Sequence, residues 1–334
     1  MAAPVLPTVR CTLVTSPSEL ERLIPAWEAL RARCPAATPF QSPAWTIPWW
    51  HAFGRGGLRA LAVWSGTRLV GLVPLQLRDG LRLIGAGNSD HLDALYEPGA
   101  GPLVRRAVEQ LLAGAGGEVS AAEFAQLPLS SPLLEVRVAG RCIERSAGEP
   151  CPAVPLGDGA TVLGDVMPAR FAKKIARARH HAAGCGRLRL EGADGAPVEQ
   201  ALAIFGDVVR LHTAAWHARG KPGVLSDRSV QAFHGDVIRR AHPLGLLDLY
   251  RLRLDDRTVA AYYGFRDARR AYYYLSGFDP AFRALSPGTL VVAAALEAAL
   301  GRGASAFDFL RGREAYKYRW GARDEPTGLL RVVS

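Results

Sequence analysis

The chain has 334 residues, with 49% hydrophobic and 22% charged side chains and a formal net charge of +10. That length suits one large domain or two of ordinary size, and the composition is that of a globular protein without low-complexity tracts. No apolar run approaches the roughly 20 residues of a membrane-spanning helix, and residues 1–20 lack the charged-then-apolar layout of a signal peptide. The expectation is therefore a cytoplasmic protein.

Arginine supplies nearly all of the positive charge, a bias that a GC-rich genome produces by itself. Part of the excess is local: Arg170, Lys173, Lys174, Arg177, Arg179, Arg187 and Arg189 occur with no acid among them. Such a field attracts anionic molecules, whether phosphorylated sugars, nucleotides or acidic polymers. A solvated helix face is the other reading. The five cysteines are scattered, and no two have zinc or redox spacing. No metal site is expected.

In the first half, a strand at 10–14 precedes a helix at 18–33 with Ser18 as N-cap, then a Trp-rich helix at 43–53. Strands follow at 58–64, 68–77 and 81–84, with turns at 65–67 and 78–80. A helix at 103–113 and a strand near Phe124 close this half. Residues 146–159 are rich in Gly and Pro and read as a linker. A basic helix at 168–183 comes next.

The second half repeats the plan more clearly. A short strand at 187–190 leads to a helix at 198–218 whose Leu202, Phe205, Val209 and Trp216 share one face. Asp227 caps a second helix through Arg240. Three strands at 246–254, 258–265 and 271–278 are joined by short polar loops suited to antiparallel hairpins. The loop 283–288, a helix at 289–300 and a strand at 306–310 complete a β-α-α-β-β-β-α-β order. The expected fold class is α/β, two tandem domains with central mixed sheets flanked by helices.

A strand, a tight Pro/Gly loop and a helix opening from it can hold an anion, because the first helical N–H groups lack internal partners and the dipole favours negative charge there. Arg283-x-x-Ser286-x-Gly288 resembles the Arg/Gln-x-x-Gly-x-Gly/Ala loop with which GNAT-type acyltransferases grip the pyrophosphate of coenzyme A, with Ser286 in place of the first glycine. A plain turn with Pro287 starting a core helix is the alternative. Further motifs point the same way: Phe40-Gln41-Ser42-Pro43-Ala44-Trp45 with Trp49-Trp50, Val70-Gly71-Leu72-Val73-Pro74-Leu75, Tyr274-Leu275-Ser276-Gly277-Phe278-Asp279, and Asp308-Phe309-Leu310-Arg311-Gly312-x-Glu314-x-Tyr316-Lys317. Over roughly residues 10–325 these resemble the CelD-type (BioF2-like) acetyltransferases, which are encoded with bacterial cellulose and exopolysaccharide genes. More distantly the layout is similar to the aminoacyl-tRNA-dependent transferases that build peptidoglycan cross-bridges.

The resemblance implies two GNAT-like halves: residues 1–150 on the acceptor side, 151–186 as linker and basic helix, and 187–334 with the acyl-CoA site. It implies acetyl-CoA or another acyl-CoA as co-substrate, and an amine or hydroxyl acceptor on a sugar or envelope precursor. Acyl transfer by direct attack needs a base for the acceptor, a donor for the oxyanion and an acid for the leaving thiolate. Arg283, Ser286, Gly288, Thr289 and Leu290 are the candidate cofactor-binding residues, and a backbone N–H on strand 272–278 the candidate oxyanion donor. Glu314 is the candidate base and Tyr316 the acid, with a surface turn carrying a salt-bridged Glu as the alternative. Asp308 is read as a base or, preferably, as a group that orients Arg311. Lys317 and Arg311 are assigned to an anionic acceptor. Asp90, in Gly87-Asn88-Ser89-Asp90-His91-Leu92-Asp93, faces the acceptor by resemblance to the cross-bridge transferases, and a capped turn fits equally. His212 and His217, five apart, are poorly placed as joint metal ligands. The rival readings are an aminoacyl-tRNA-dependent transferase, with the basic helix on RNA, and a non-catalytic scaffold; a nucleic-acid partner is not the primary expectation.

Overall fold

The computed structural model describes residues 8–114 and 119–333. The chain divides into two compact units, Met1–Glu149 with Pro326–Ser334, and Pro150–Glu325.

The first unit holds a four-stranded and a six-stranded sheet. Pro74 separates strand Arg68–Val73, in the smaller sheet, from Leu75–Leu77, in the larger one. A proline has no N–H to give to a ladder, so the single strand expected at 68–77 ends there. The helix expected at 18–33 is likewise two helices, Pro17–Arg22 and Ile24–Ala32, with Pro25 in the first turn of the second. Its N-cap is Ser16 rather than Ser18, in a reciprocal capping box with Glu19. Helix Gly101–Gly114 sets Val104, Val108 and Leu112 against Val63, Val73 and Phe124 in the core. Strand Leu81–Leu83 runs parallel to Ala122–Pro128 across that helical crossover.

The second unit is one seven-stranded sheet, in the order Leu188–Gly192, Leu247–Leu254, Arg257–Arg266, Arg270–Phe278, Ala306–Asp308, Cys151–Pro155, Arg323–Glu325. Every neighbouring pair is antiparallel except Arg270–Phe278 with Ala306–Asp308. Side chains alternate across the sheet. Tyr262 packs with Leu290, Val291 and Leu296 of helix Pro287–Gly301 and with Ile175 of the basic helix Ala169–Cys185. Its neighbour Tyr263 points the other way, to Phe205 of helix Val198–His217 and His234 of helix Arg228–Ala241. Helix Pro287–Gly301 is apolar apart from Thr289 and Glu297, and most of its side chains are buried, with Glu297 reaching Arg179 of the basic helix at 2.9 Å.

Two segments differ from the sequence reading. The stretch 146–159, expected as a linker, contributes strand Cys151–Pro155, buried between two partners. Its prolines act as acceptors only: Pro152 C=O takes the Phe309 N–H at 2.9 Å and Pro150 C=O the Gly312 N–H at 3.1 Å. The C-terminal strand Thr327–Val333 belongs to the first unit, between Ala122–Pro128 and Cys142–Ala147. The expected second domain, 187–334, therefore gains 150–186 and loses its last nine residues. Among the described residues no helix is long and apolar enough to cross a membrane.

Candidate functional site

Strands Arg270–Phe278 and Ala306–Asp308 pair only from Arg270/Ala306 to Tyr272/Asp308. Beyond that point the first strand continues against Arg257–Arg266 on its other side, while the second turns away. Phe309 N–H bonds Pro152 C=O, and Leu310 adopts a left-handed conformation (φ 58°). The edge of residues 273–278 is thus open where the parallel partner has left.

Three groups hold that departure. Asp308, fully buried, accepts the Leu310 N–H at 2.7 Å through Oδ1 and Arg270 Nη1 at 3.1 Å through Oδ2. Arg270 forks to both oxygens of Glu325, at 2.8 and 2.7 Å. Lys317, 2% exposed, sends its ammonium to the carbonyls of Leu310, Arg311 and Gly312 at 3.0, 2.6 and 3.0 Å and pairs with Glu314 Oε2 at 2.9 Å. An isolated buried ammonium costs several kcal/mol, which this full set of acceptors offsets. Lys317 therefore has no proton left for an acceptor phosphate or carboxylate: it pins the turn 310–314 and sets Glu314, a correction to its expected role. Through these bonds Asp308 ties the Leu310 turn to Arg270.

The open strand carries a bulge. Tyr263 faces Leu275, and Gly264 faces Tyr273, so Tyr274 is the extra residue. Residues three apart on a regular strand lie on opposite faces; the extra residue returns Tyr273 and Ser276 to the same face. Their hydroxyls bond at 2.7 Å. Tyr316 stands beside them, exposed at its outer side: the rings of Tyr273 and Phe309, Phe309 and Tyr316, and Tyr273 and Tyr316 are 5.6, 6.1 and 6.5 Å apart. Burial, then the charges of Tyr273 and Glu314, raises the Tyr316 phenol above its ordinary range. Burial likewise raises Tyr273. The sequence reading missed Tyr273 and Ser276 as side chains. The available signal was Gly264 inside a strand, a mark of a bulge.

Next to this strand end lies the loop expected to hold an anion. Ser286 is left-handed (φ 54°, ψ 42°), the conformation for which a glycine is ordinarily used, and its N–H bonds Arg283 C=O at 3.0 Å. Pro287 then starts the helix. The Thr289 and Leu290 N–H groups already bond Ser286 C=O, at 2.9 and 3.1 Å, and the Leu290 side chain is in the core. They do not supply the expected row of free donors; Gly288 N–H, with no such bond, remains. A Cβ on Gly288 would stand 3.0 Å from the Phe278 ring. Arg283 is exposed, with no ion pair among the described residues. Arg311 is half-buried on the turn that Lys317 pins.

On the other face of the strand, helix Val198–His217 passes so close to Gly277 that a Cβ there would stand 2.1 Å from His212 N. The His212 imidazole is buried, its Nδ1 has no partner, and burial followed by the Arg219 charge lowers its pKa to about 4. It is neutral near pH 7. Among the described residues no three His, Cys, Asp or Glu side chains gather as metal ligands, and all five cysteines are free thiols. Asp90 lies in the first unit, 7% exposed, in a loop that Trp45 and Trp49 clasp through Ser89 (2.6 Å) and Asn88 (3.0 Å).

Residues 169–318 match the family model described as an acetyltransferase (GNAT) domain. No curated protein sequence matches the chain. Among solved structures, it is similar to FemX, at 12% identity over 96% of each chain with a TM-score of 0.65. It is also similar to the C-terminal domain of a putative lysylphosphatidylglycerol synthetase from Agrobacterium fabrum, at 16% identity over 96% of this chain and 92% of that one with a TM-score of 0.62. The structure of L-PGS from Bacillus licheniformis matches at 11% identity over 92% of this chain and 90% of that one, with a TM-score of 0.58. At such identities the likeness speaks to fold. The fold is of the GNAT kind, with mixed sheets flanked by helices, and the stretch that matches the acetyltransferase (GNAT) domain lies within the second unit.

Proposed function

We propose that the chain moves an acetyl or other acyl group from acyl-CoA to an amine or hydroxyl acceptor, by direct attack with both substrates bound. The observation that carries this reading is the parting of the two parallel strands beside a helix start, with hydroxyls and an open backbone edge converging there. Acyl-CoA is a substrate here, consumed at each turnover. The exposed Arg283, the free Gly288 N–H and the absence of a side chain at Gly288 suit a pyrophosphate. A backbone N–H on the open strand Arg270–Phe278 is assigned to the oxyanion. Glu314, oriented by Lys317, takes the acceptor's proton, and Tyr316, protonated at neutral pH, gives one to the thiolate. By the CelD-type resemblance, the acceptor is a sugar or cell-envelope precursor in the cytoplasm; Arg311 and Asp90 are assigned to it on the same ground.

A second reading, an aminoacyl-tRNA-dependent transferase, is favoured by the exposed basic face of helix Ala169–Cys185 and by the fold likeness to FemX. Calorimetric titration with acetyl-CoA separates the two. Saturable binding by the wild type, lost in folded Arg283→Ala and Arg283→Ala/Gly288→Glu proteins, supports acyl-CoA as donor. No binding by the wild type, with salt-sensitive binding of charged tRNA instead, overturns it in favour of the second reading.

A further inference from the structure

The basic helix Ala169–Cys185 is more one-sided than its packing requires. Ile175 and Ala182 are buried, and Phe171 and Ala178 pack beside them against the core. On the opposite side Arg170, Lys173, Lys174, Arg177, His180 and His181 are all exposed. At 3.6 residues per turn these six fall within an arc of about 120° and along about 17 Å of the axis. None of them has a side-chain hydrogen bond or ion pair among the described residues. Arg179, on the flank of the arc, does reach an acid, Glu297 at 2.9 Å.

Nothing in the helix itself favours this stripe. Like charges three and four residues apart repel, and Arg170/Lys174, Lys173/Arg177 and Lys174/Arg177 are so spaced. The cations crowd the N-terminal turns, where the helix dipole opposes them, with no acid in the first turn and no base in the last. Compositional bias does not account for the stripe either. That bias favours arginine over lysine, and the chain has four lysines, Lys173, Lys174, Lys221 and Lys317, two of which stand side by side here.

We propose that this stripe is a docking surface for an anionic membrane, a bilayer face that presents acidic phospholipid headgroups. A straight row of cations on the outer side of one helix meets a plane of phosphates all at once. It suits nucleic acid less well. The arc has no Phe, Tyr or Trp to stack on bases, and no Asn, Gln, Ser or Thr to read base edges or 2′-hydroxyls. Among the described residues no helix is long and apolar enough to cross a bilayer, so the attachment is peripheral and governed by salt. Docking of this kind brings the second unit to where lipid-linked molecules are presented, whatever acyl donor it uses. Each lysine or arginine near an acidic bilayer strengthens binding about fivefold, so the four lysine and arginine cations together give on the order of several hundredfold.

The test is sedimentation of the full chain with vesicles of phosphatidylcholine alone, and of phosphatidylcholine with about one-third phosphatidylglycerol, at about 0.1 M salt. It is run on wild type, Lys173→Gln/Lys174→Gln and Arg170→Gln/Lys173→Gln/Lys174→Gln/Arg177→Gln. A control, Arg228→Gln/Arg240→Gln, removes two exposed cations from another helix. Circular dichroism verifies that each variant is folded. The expected result is a wild-type preference for the acidic vesicles of on the order of a hundredfold or more, weakened by added salt. The double variant loses about 25-fold, the quadruple variant falls to the level of neutral vesicles, and the control binds as wild type does. Equal wild-type binding to both vesicles, a quadruple variant that still prefers the acidic ones, or an equal loss in the control each overturns the proposal. So does tRNA binding that the quadruple variant loses while the wild type shows no preference for acidic vesicles, which assigns the stripe to nucleic acid. None of the four substituted residues belongs to the loop proposed for acyl-CoA. Failure here therefore leaves that reading standing, and a wild type that binds no acetyl-CoA leaves this one.

Discussion

Asp93 gives the first unit a pH dependence that can be worked out in advance. Its carboxyl is fully enclosed, and Oδ1 accepts the Ala94 N–H at 2.7 Å and the Ser131 hydroxyl at 2.6 Å. Burial raises its pKa from 3.8 to about 7 against the smaller lowering by those two bonds. The folded form therefore holds a proton that the unfolded chain releases near pH 4. The stability linked to that proton is complete below the unfolded pKa and is lost as pH rises through the folded one. A shift of about 3 units corresponds to about 4 kcal/mol in total. Roughly 3 kcal/mol of it falls between about pH 5 and 8, where the folded carboxyl is forced to ionise in place. Asp93→Asn keeps a carbonyl for both hydrogen bonds and cannot ionise. The expected outcome is near-equal stability only below about pH 4, a variant more stable by about 1.5 kcal/mol close to pH 5, and one more stable by up to about 4 kcal/mol close to pH 8. Urea unfolding across that range, taken as the difference between the two proteins, cancels every other titrating group. A difference that does not change with pH, or one that grows in favour of the wild type on the alkaline side, refutes the reasoning.

Lys317→Met strips three carbonyls and Glu314 of their partner. Breaking a buried pair of this kind costs about 3–5 kcal/mol, so thermal melting should shift down by roughly 6–12 °C or more; an unchanged midpoint with weaker acceptor binding would restore Lys317 to the acceptor site. Ser286→Gly relieves a left-handed residue that costs about 1 kcal/mol. It should raise the midpoint by roughly 2–4 °C without loss of acetyl-CoA affinity, whereas destabilisation would mean that the Ser286 hydroxyl makes a bond the loop needs.

Local periodicity made most of the fold legible. The helices Val198–His217 and Arg228–Ala241 bury one regular face each, and they and the three long strands of the second unit lie where the sequence predicts them. Elements whose reason is non-local escaped. Cys151–Pro155 contains two prolines, and it is a strand only because Ala306–Asp308 and Arg323–Glu325 flank it. Thr327–Val333 completes a sheet whose other strands lie some 200 residues earlier in the chain. The site follows the same division. Arg283, Ser286 and Gly288 could be found from spacing, and Tyr316 from the motif around it. The hydroxyl pair Tyr273 and Ser276 depends on a bulge, and the true office of Lys317 depends on where three carbonyls point.

The two units share a crossover, a strand linked by a helix to a parallel strand, yet only one has the charge pattern for a nucleotide donor. In the second unit, Ser286 ends the loop: its N–H bonds Arg283 C=O, and its own C=O takes the Thr289 and Leu290 N–H groups. In the first, Ala100 does the same: its N–H bonds Glu97 C=O at 2.9 Å, and its C=O takes Leu103 and Val104 at 3.0 and 3.1 Å. These three bonds are repeated, so Glu97 takes the sequence position of Arg283, although the left-handed residue is Ser286 in the second unit and Gly99 in the first. A carboxylate at a helix start is favoured by the dipole itself, and here it is tied to Arg33 at 2.6 Å and Arg68 at 3.3 Å. At that position the first unit thus has a carboxylate paired with two arginines instead of an exposed guanidinium. One backbone device has been kept twice, with a built-in anion in one unit and an exposed arginine in the other. The exposed cation, not these shared bonds, is therefore what the proposed donor assignment to the second unit rests on.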